Sequence, residues 1–243
     1  MKKNVKIKCL GVIILFIAVF TSCKNEPAKP VYRSIATVVN PDSVRAYSFI
    51  SDKGNRMKPT NATHILKNGQ RIIADFHIVN EKPEGSDYDY DVEYVYLYRI
   101  LTKEIFNITP QAQDSIGNDE IGIHQMWIGS HFLNVEFFFG ASSKTHYINL
   151  VSDADKTYDD DKVHLEFRHN TNHDFPEQTS WGLVSFNLRS LQGNAVGDSV
   201  KIVIHTNEYN SGAKTHELTY KFNNSENAVE PAVALQKSSI IIE

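Results

Sequence analysis

Beyond position 23 the chain contains no cysteine: of its 243 residues only Cys9 and Cys23 carry a thiol. That absence removes disulfides, a thiolate nucleophile and cysteine-based zinc sites from everything that follows. Stability must then come from apolar burial, for which Phe, Tyr, Ile, Val and Leu are plentiful. Long apolar runs are scarce as well. The run Cys9–Phe20 spans 12 residues, short of the roughly 18–20 that a membrane-crossing helix needs. Neither a glycine-rich phosphate loop nor a Gly-x-Ser-x-Gly elbow is present. Basic charge is limited to 25 Lys and Arg against 29 Asp and Glu. Among so many acids, spacing alone singles out no carboxylate pair for glycoside cleavage.

What is present begins at the N-terminus. Lys2, Lys3, Lys6 and Lys8 surround the start of the apolar run, and Thr21-Ser22-Cys23 closes it. A basic region, a short apolar core and a small-residue site before cysteine have the order of a bacterial lipoprotein signal. Residues 1–22 are expected to be removed and the Cys23 thiol diacylated, with acylation of the amine often following. Two or three acyl chains hold a protein on a bilayer, where one is marginal. The competing reading is an ordinary secretory signal in which Cys23 is incidental. Cleavage removes four lysines and no acid, leaving 21 cations against 29 acids and a net charge of −8 on the 221 residues from Cys23 onward. Such a chain is a poor ligand for nucleic-acid phosphates. Anionic headgroups would repel it, so the acyl chains must do the anchoring.

Residues 23–30 are polar, contain Pro27 and Pro30, and read as a lipidated tether. Period-2 patterning dominates from there on. Strands are expected at Arg33–Asn40, Ala46–Ser51, Gln70–Asn80 and along Asp91–Ile108, which is long enough for two. Asn68-Gly69 and Lys82-Pro83-Glu84-Gly85 are turn signals. In the second half, Leu133/Val135/Phe137/Phe139, Val163/Leu165/Phe167, Val184/Phe186/Leu188, Val200/Ile202/Ile204 and Leu218/Tyr220/Phe222 alternate with more polar positions. One face of each strand should be buried and the other wet, the pattern of a β-sandwich. The turn-like segment Pro110–Gly122 marks the junction. It divides the chain into a first domain over 31–112, a sandwich over 118–224 and a mixed tail over 225–243, where Ile240-Ile241-Ile242 either pairs on a sheet edge or frays.

Several strings resemble the NigD-like lipoproteins of Gram-negative gut and oral bacteria. They are Trp127-Ile128-Gly129 before Phe132-Leu133-Asn134-Val135-Glu136-Phe137, then His146-Tyr147-Ile148-Asn149-Leu150-Val151, Val163-His164-Leu165-Glu166-Phe167-Arg168-His169-Asn170 and Gly182-Leu183-Val184-Ser185-Phe186-Asn187-Leu188. The resemblance runs over roughly residues 31–222 and includes the lipoprotein signal. It implies an all-β chain: an N-terminal OB-like β-barrel, then a C-terminal antiparallel β-sandwich. It also implies an outer-membrane lipoprotein, on the periplasmic or the cell-surface face. The family takes its name from an operon linked to bacteriocin production, for which an immunity role has been proposed. It supplies no catalytic residue and no cofactor. Asp42-Ser43-Val44, Asp114-Ser115-Ile116 and Asp198-Ser199-Val200 fit the short Asp-Ser-aliphatic pattern at which bacteria of this kind O-glycosylate exported proteins.

Candidate binding residues fall in two places. Tyr94, Tyr96 and Tyr98 share one strand face by period, and aromatic rings on an OB-like sheet stack on sugars or bases. The acidic chain favours glycans. The plainer reading is that both faces of that strand are buried, since Val95 and Leu97 alternate with the tyrosines. Glu166 and Arg168, with His164, should form a polar face that ends in His169 and Asn170 and organises the loop Thr171–Gln178. His169, His173 and a carboxylate offer zinc-type ligands, but on a loop their spacing fixes no geometry, and no metal site is assigned. Asp153, Asp155, Asp159, Asp160 and Asp161 crowd one turn. Counted from Asp153, the sixth position of a helical calcium loop is Tyr158 rather than Gly, so a solvated turn is expected.

The leading expectation is a non-enzymatic, membrane-anchored envelope lipoprotein of binding or bacteriocin-immunity type, held by lipid at Cys23 and facing an envelope protein or glycan, not nucleic acid. The alternative is a glycan-binding accessory lipoprotein using Tyr94, Tyr96 and Tyr98. An envelope-polymer hydrolase ranks last.

Overall fold

Alternating apolar residues without a helical period leave the backbone one economical way to pair its polar groups, in sheets. The computed structural model describes residues 29–222, apart from 44, 45, 195 and 196. The signal, Cys23, most of the tether, Val44 and the tail from residue 223 lie outside the described residues. Five strands, β1 (Tyr32–Ser43), β2 (Ala46–Ser51), β3 (Arg56–Pro59), β4 (Arg71–Glu81) and β5 (Tyr90–Arg99), close into a barrel in the order β1-β2-β3-β5-β4. Val38, Phe49, Met57, Ile72, Ala74 and Val92 are among the side chains that fill it. In β4 every residue from Arg71 to Phe76 is buried. Ile72, Ala74 and Phe76 face the barrel core, while the alternate residues turn outward toward other partners.

The remaining strands build the sandwich. They are β6 (Leu101–Glu104), β7 (Phe106–Ile108), β8 (Gly122–Gly129), β9 (Phe132–Ala141), β10 (Tyr147–Asp153), β11 (Val163–Asn170), β12 (Gln178–Asn187), β13 (Ser199–Glu208) and β14 (Gly212–Lys221). One sheet has the order β14-β13-β11-β10-β7 and the other β6-β12-β9-β8. The hairpins are antiparallel, and three pairs, β7–β10, β11–β13 and β6–β12, are parallel. Between the sheets lie Leu133, Val135, Phe137, Phe139, Phe167 and Phe186, as the alternation predicts, in a larger cluster with Leu165, Ile202 and Ile204.

The junction sits earlier than the turn signals suggest. Leu101–Glu104 and Phe106–Ile108, read from sequence as part of the barrel domain, belong to the two sheets of the sandwich. Their alternation continues that of β5, and no proline follows until Pro110, so nothing in the sequence marks the change of sheet. Gly122, expected to end the connecting segment, begins β8. Within that segment Pro110–Ala112 forms a 3-10 turn and Gln113–Ile116 a single α-helical turn, which takes in Asp114-Ser115-Ile116.

Barrel and sandwich meet over Ile35, Ile73, Ile100, Trp127 and Leu183. Beside this cluster the fully buried Arg71 donates from Nη1 and Nη2 to the two carboxylate oxygens of Asp52 at 2.5 and 2.6 Å. Arg71 Nη2 also donates to Asn134 Oδ1 at 3.2 Å, and Ser185 Oγ donates to the same oxygen at 2.6 Å. The guanidinium lies 4.6 Å from the centre of the Phe132 ring. Charges withdrawn from water are tolerated when bidentate geometry and further hydrogen bonds satisfy them. The face of β9 and β12 expected to be wet is therefore partly dry, with Asn134 and Ser185 holding the barrel.

Candidate functional site

The three barrel tyrosines do not share a face. Tyr94 pairs with Phe76 and Tyr96 with Asp75, so Val95 is an extra residue that shifts the register. A bulge of this kind re-aims the side chains on either side of it. Tyr94 turns into the barrel, where its hydroxyl accepts from Thr63 N at 2.8 Å and lies 3.1 Å from His64 Nδ1. Tyr96 and Tyr98 stay outside, 61% and 37% exposed, with ring centres 6.3 Å apart. A two-ring patch replaces the expected three-ring face.

The polar face of β11 is real but not wet. Glu166 and Arg168 are each only 8% exposed. Arg168 Nε donates to Glu166 Oε2 at 2.6 Å, Lys156 contacts the other carboxylate oxygen, and Arg168 Nη1 donates to Gly117 O at 3.2 Å. Arg168 thus ties down the connecting segment, not the loop after β11. Asn170 serves both: its Nδ2 donates to Ser115 O at 2.7 Å, and its Oδ1 accepts from Asn172 N at 2.7 Å in the loop it was expected to organise. Next to them His164 Nε2 lies 2.8 Å from Asp160 Oδ1, and its Nδ1 lies 2.9 Å from His205 Nε2. The Tyr158 ring stacks on His164 at 3.6 Å. Burial and the neighbouring His164 push the His205 pKa down. A polar cleft of about 210 Å³ opens here, lined by Lys156, Glu166, His205 and Asn207. The acids of the nearby turn have separate partners: Asp153 Oδ1 accepts from Asp155 N, and Asp160 Oδ1 from Lys162 N. Among the described residues no three His, Cys, Asp or Glu side chains gather at a metal-sized site.

His169 lies on the opposite face from Glu166 and Arg168 and points into the sandwich. It pairs with His146 instead of His173: His146 Nδ1 and His169 Nε2 are 2.8 Å apart, and His169 Nδ1 donates to Glu120 O at 3.0 Å. Burial pushes the His169 pKa down to about 4. His146 Nε2 lies 3.2 Å from Asp174 Oδ2, and Asp174 also accepts from Ser142 N at 2.6 Å and Ser143 N at 3.3 Å. Those amides hold the Asp174 carboxyl well below the usual carboxylate range. The loop after β11 is therefore pinned at Asp174. Two residues on, its Pro176 lies over Gly140, so closely that a Cβ at Gly140 would come 2.4 Å from the proline ring.

Pro176 forms one wall of a second cleft, of about 400 Å³, lined also by Gly122, Ile123, Phe138, Thr179, Tyr209 and Asn210. Phe138 on β9 stands opposite Trp181 on β12 and Gly122 on β8. Its ring lies close over Gly122, where a Cβ would come within 2.1 Å of it. Ring centres of Trp181 and Phe138 are 5.2 Å apart, and those of Phe138 and Tyr209 are 6.2 Å apart, with planes tilted by 42° and 31°. The Tyr209 hydroxyl accepts from Gly140 N at 3.2 Å, fixing its ring. His124 meets Trp181 edge-on, and Phe175, 75% exposed, stands on the pinned loop. Glu208 also lines this cleft, yet its carboxylate is committed to His216 at 2.7 Å, Lys214 at 2.8 Å and Thr206 at 3.0 Å. Aromatic rings beside a committed acid can bind by stacking. Sequence reading passed over this cleft, although Phe138 and Trp181 fall at positions that the alternation assigns to the wet face.

Comparison with known proteins places the two domains. A model described as the NigD-like N-terminal OB domain matches residues 35–100, and one described as the NigD-like C-terminal beta sandwich domain matches residues 104–220. No curated protein matches the chain. Among crystal structures, a protein described as toxin-related from Parabacteroides distasonis is similar at 28% identity and a TM-score of 0.68, over 81% of this chain and 96% of that one. A protein of unknown function from Bacteroides vulgatus is similar at 25% identity and a TM-score of 0.68, over 79% and 91%. A NigD-like immunity protein from Bacteroides caccae shares the fold at 14% identity and a TM-score of 0.60, over 82% and 99%.

Proposed function

The chain belongs to the NigD-like family, and from that premise we propose that it is a non-enzymatic, lipid-anchored binding protein of immunity type in the bacterial outer membrane. Cys23, behind its signal, is the anchoring residue. The observation that carries the binding reading is the open cleft walled by Phe138, Tyr209 and Pro176, with Trp181 packed behind Phe138. A cleft that sets half-buried aromatic rings beside a few polar groups is the usual make-up of a recognition site. The single carboxylate in the cleft is held by three neighbours, which favours recognition over cleavage. The crystal structure of a NigD-like immunity protein with the same fold supports the immunity role.

Two measurements test this reading. Affinity capture from envelope extracts should recover a partner with the wild-type chain and lose it with Phe138→Ala. Deleting the gene should raise sensitivity to a bacteriocin, with wild-type protein but not Phe138→Ala restoring resistance. Capture of nothing, together with unchanged sensitivity, contradicts it. Cys23→Ala should leave an unprocessed precursor, and normal processing with membrane retention contradicts the anchor.

A further inference from the structure

We infer that the row Trp181–Phe138–Tyr209 is a stacking platform for a neutral carbohydrate chain. This rests on the cleft being a binding site and names its ligand class. Phe138 packs against Trp181 on the neighbouring strand at 5.2 Å and against Tyr209, just beyond β13, at 6.2 Å, with planes tilted by 42° and 31°. Phe138 lies close over Gly122 because that residue has no side chain, and its ring is left half-buried at the cleft. A flat apolar face suits ligands that have one of their own, which sugars and bases do. Polar groups stand alongside: Thr179 and Asn210 are exposed at the cleft and can donate to and accept from hydroxyls.

Charge selects among flat ligands. The net charge of −8 on the chain after cleavage opposes the phosphates of nucleic acid and the carboxylates of acidic glycans. Glu208, already matched by Lys214 and His216, adds no attraction for a cation. What remains is a neutral, hydroxyl-rich chain with apolar ring faces. The pinned loop keeps Pro176 against Gly140, so this wall of the strip is built before ligand arrives.

Isothermal titration of the full mature chain in detergent, with cello-, xylo-, manno- and malto-hexaose and with polygalacturonate as the acidic probe, tests this directly. At least one neutral hexaose should bind and polygalacturonate should not. Phe138→Ala and Trp181→Ala should each weaken binding by about 5-fold to 150-fold, the range for one lost stacking ring. Asn210→Ala, an exposed change that leaves the core intact, should also weaken binding, and Tyr96→Ala on the barrel should leave it unchanged. Binding to no neutral hexaose, preference for polygalacturonate, or neutral binding that survives Phe138→Ala, Trp181→Ala and Asn210→Ala would overturn the inference. If Phe138→Ala loses a captured protein partner while no hexaose binds, the cleft remains a binding site and its ligand is a polypeptide. If a hexaose binds but loss of the cleft leaves capture and bacteriocin resistance unchanged, the immunity reading fails and the carbohydrate site stands.

Discussion

Barrel and sandwich face one problem, covering both sides of a β-sheet without a disulfide, and they meet it differently. The barrel closes on itself, so its strands share one interior, and part of its outer face is buried against the sandwich through Ile35, Ile73 and the Arg71–Asp52 pair. The sandwich buries an apolar layer between two sheets and then loads its outer faces with polar clusters: Glu166 with Arg168, His164 with His205, Asn134 with Ser185. Eight of the ten histidines lie in the sandwich half, all but His64 and His77. The difference suggests a division of labour, with the barrel as a support and the sandwich as the half that carries titratable groups and the aromatic strip.

The comparison is broken most severely at its joint and in its core. Arg71→Met leaves the Asp52 carboxylate buried without its partner, a loss of about 3–5 kcal/mol. Adding Asp52→Leu should recover much of it. Urea titration should show this, and a double variant no better than the single one would mean that the pair acts through shape alone. Phe167→Ala, between Phe137 and Phe186, should cost a similar ~3–5 kcal/mol through lost transfer energy and a cavity. Glu166→Ala should cost less, about 1.5–3 kcal/mol, by stranding the buried Arg168. A greater loss at Glu166 than at Phe167 would show that the sandwich depends on its polar cover more than on its core.

Acid should separate the halves next. His131 and His169 have folded pKa values pushed down by burial to about 4 from an ordinary 6.5, and both belong to the sandwich. Between those values the unfolded chain binds more protons, so their contribution is fully present above 6.5 and is lost as pH falls toward 4. Asp174, held lower, loses its contribution only at more acidic pH. His169→Phe should flatten this window in a plot of stability against pH, and an unaltered profile would contradict the assignment. The mildest change is Arg33→Ala on the barrel surface. Arg33 donates from Nε and Nη2 to the Asp75 carboxylate at 2.6 and 2.7 Å; its own side chain is 45% exposed but that of Asp75 only 10%, so the cost should be about 1 kcal/mol.

Much of the fold was legible because period-2 alternation is a local signal. Leu133, Val135, Phe137 and Phe139 show it plainly, and they are buried. What alternation does not carry is which polar positions will be covered by a second layer. Asn134 and Glu136 look like solvent positions and are fully buried, because the barrel and β8 side chains lie over that face. Register is also invisible where one residue is extra: Val95 divides the tyrosines that period-2 counting unites. The sandwich strip is a pairing of residues 43 positions apart, Phe138 with Trp181, and its close packing depends on Gly122 from a third strand. Its one local trace was an aromatic ring where a polar residue was due.

Hydrogen–deuterium exchange of the full mature chain with and without the partner captured from envelope extracts tests the assignment of binding to the sandwich most directly. The account predicts protection at the strip and its walls, in segments 122–124, 138–140, 175–181 and 208–210, with the barrel strand around Tyr96 and Tyr98 unchanged. Protection confined to that barrel strand would contradict it.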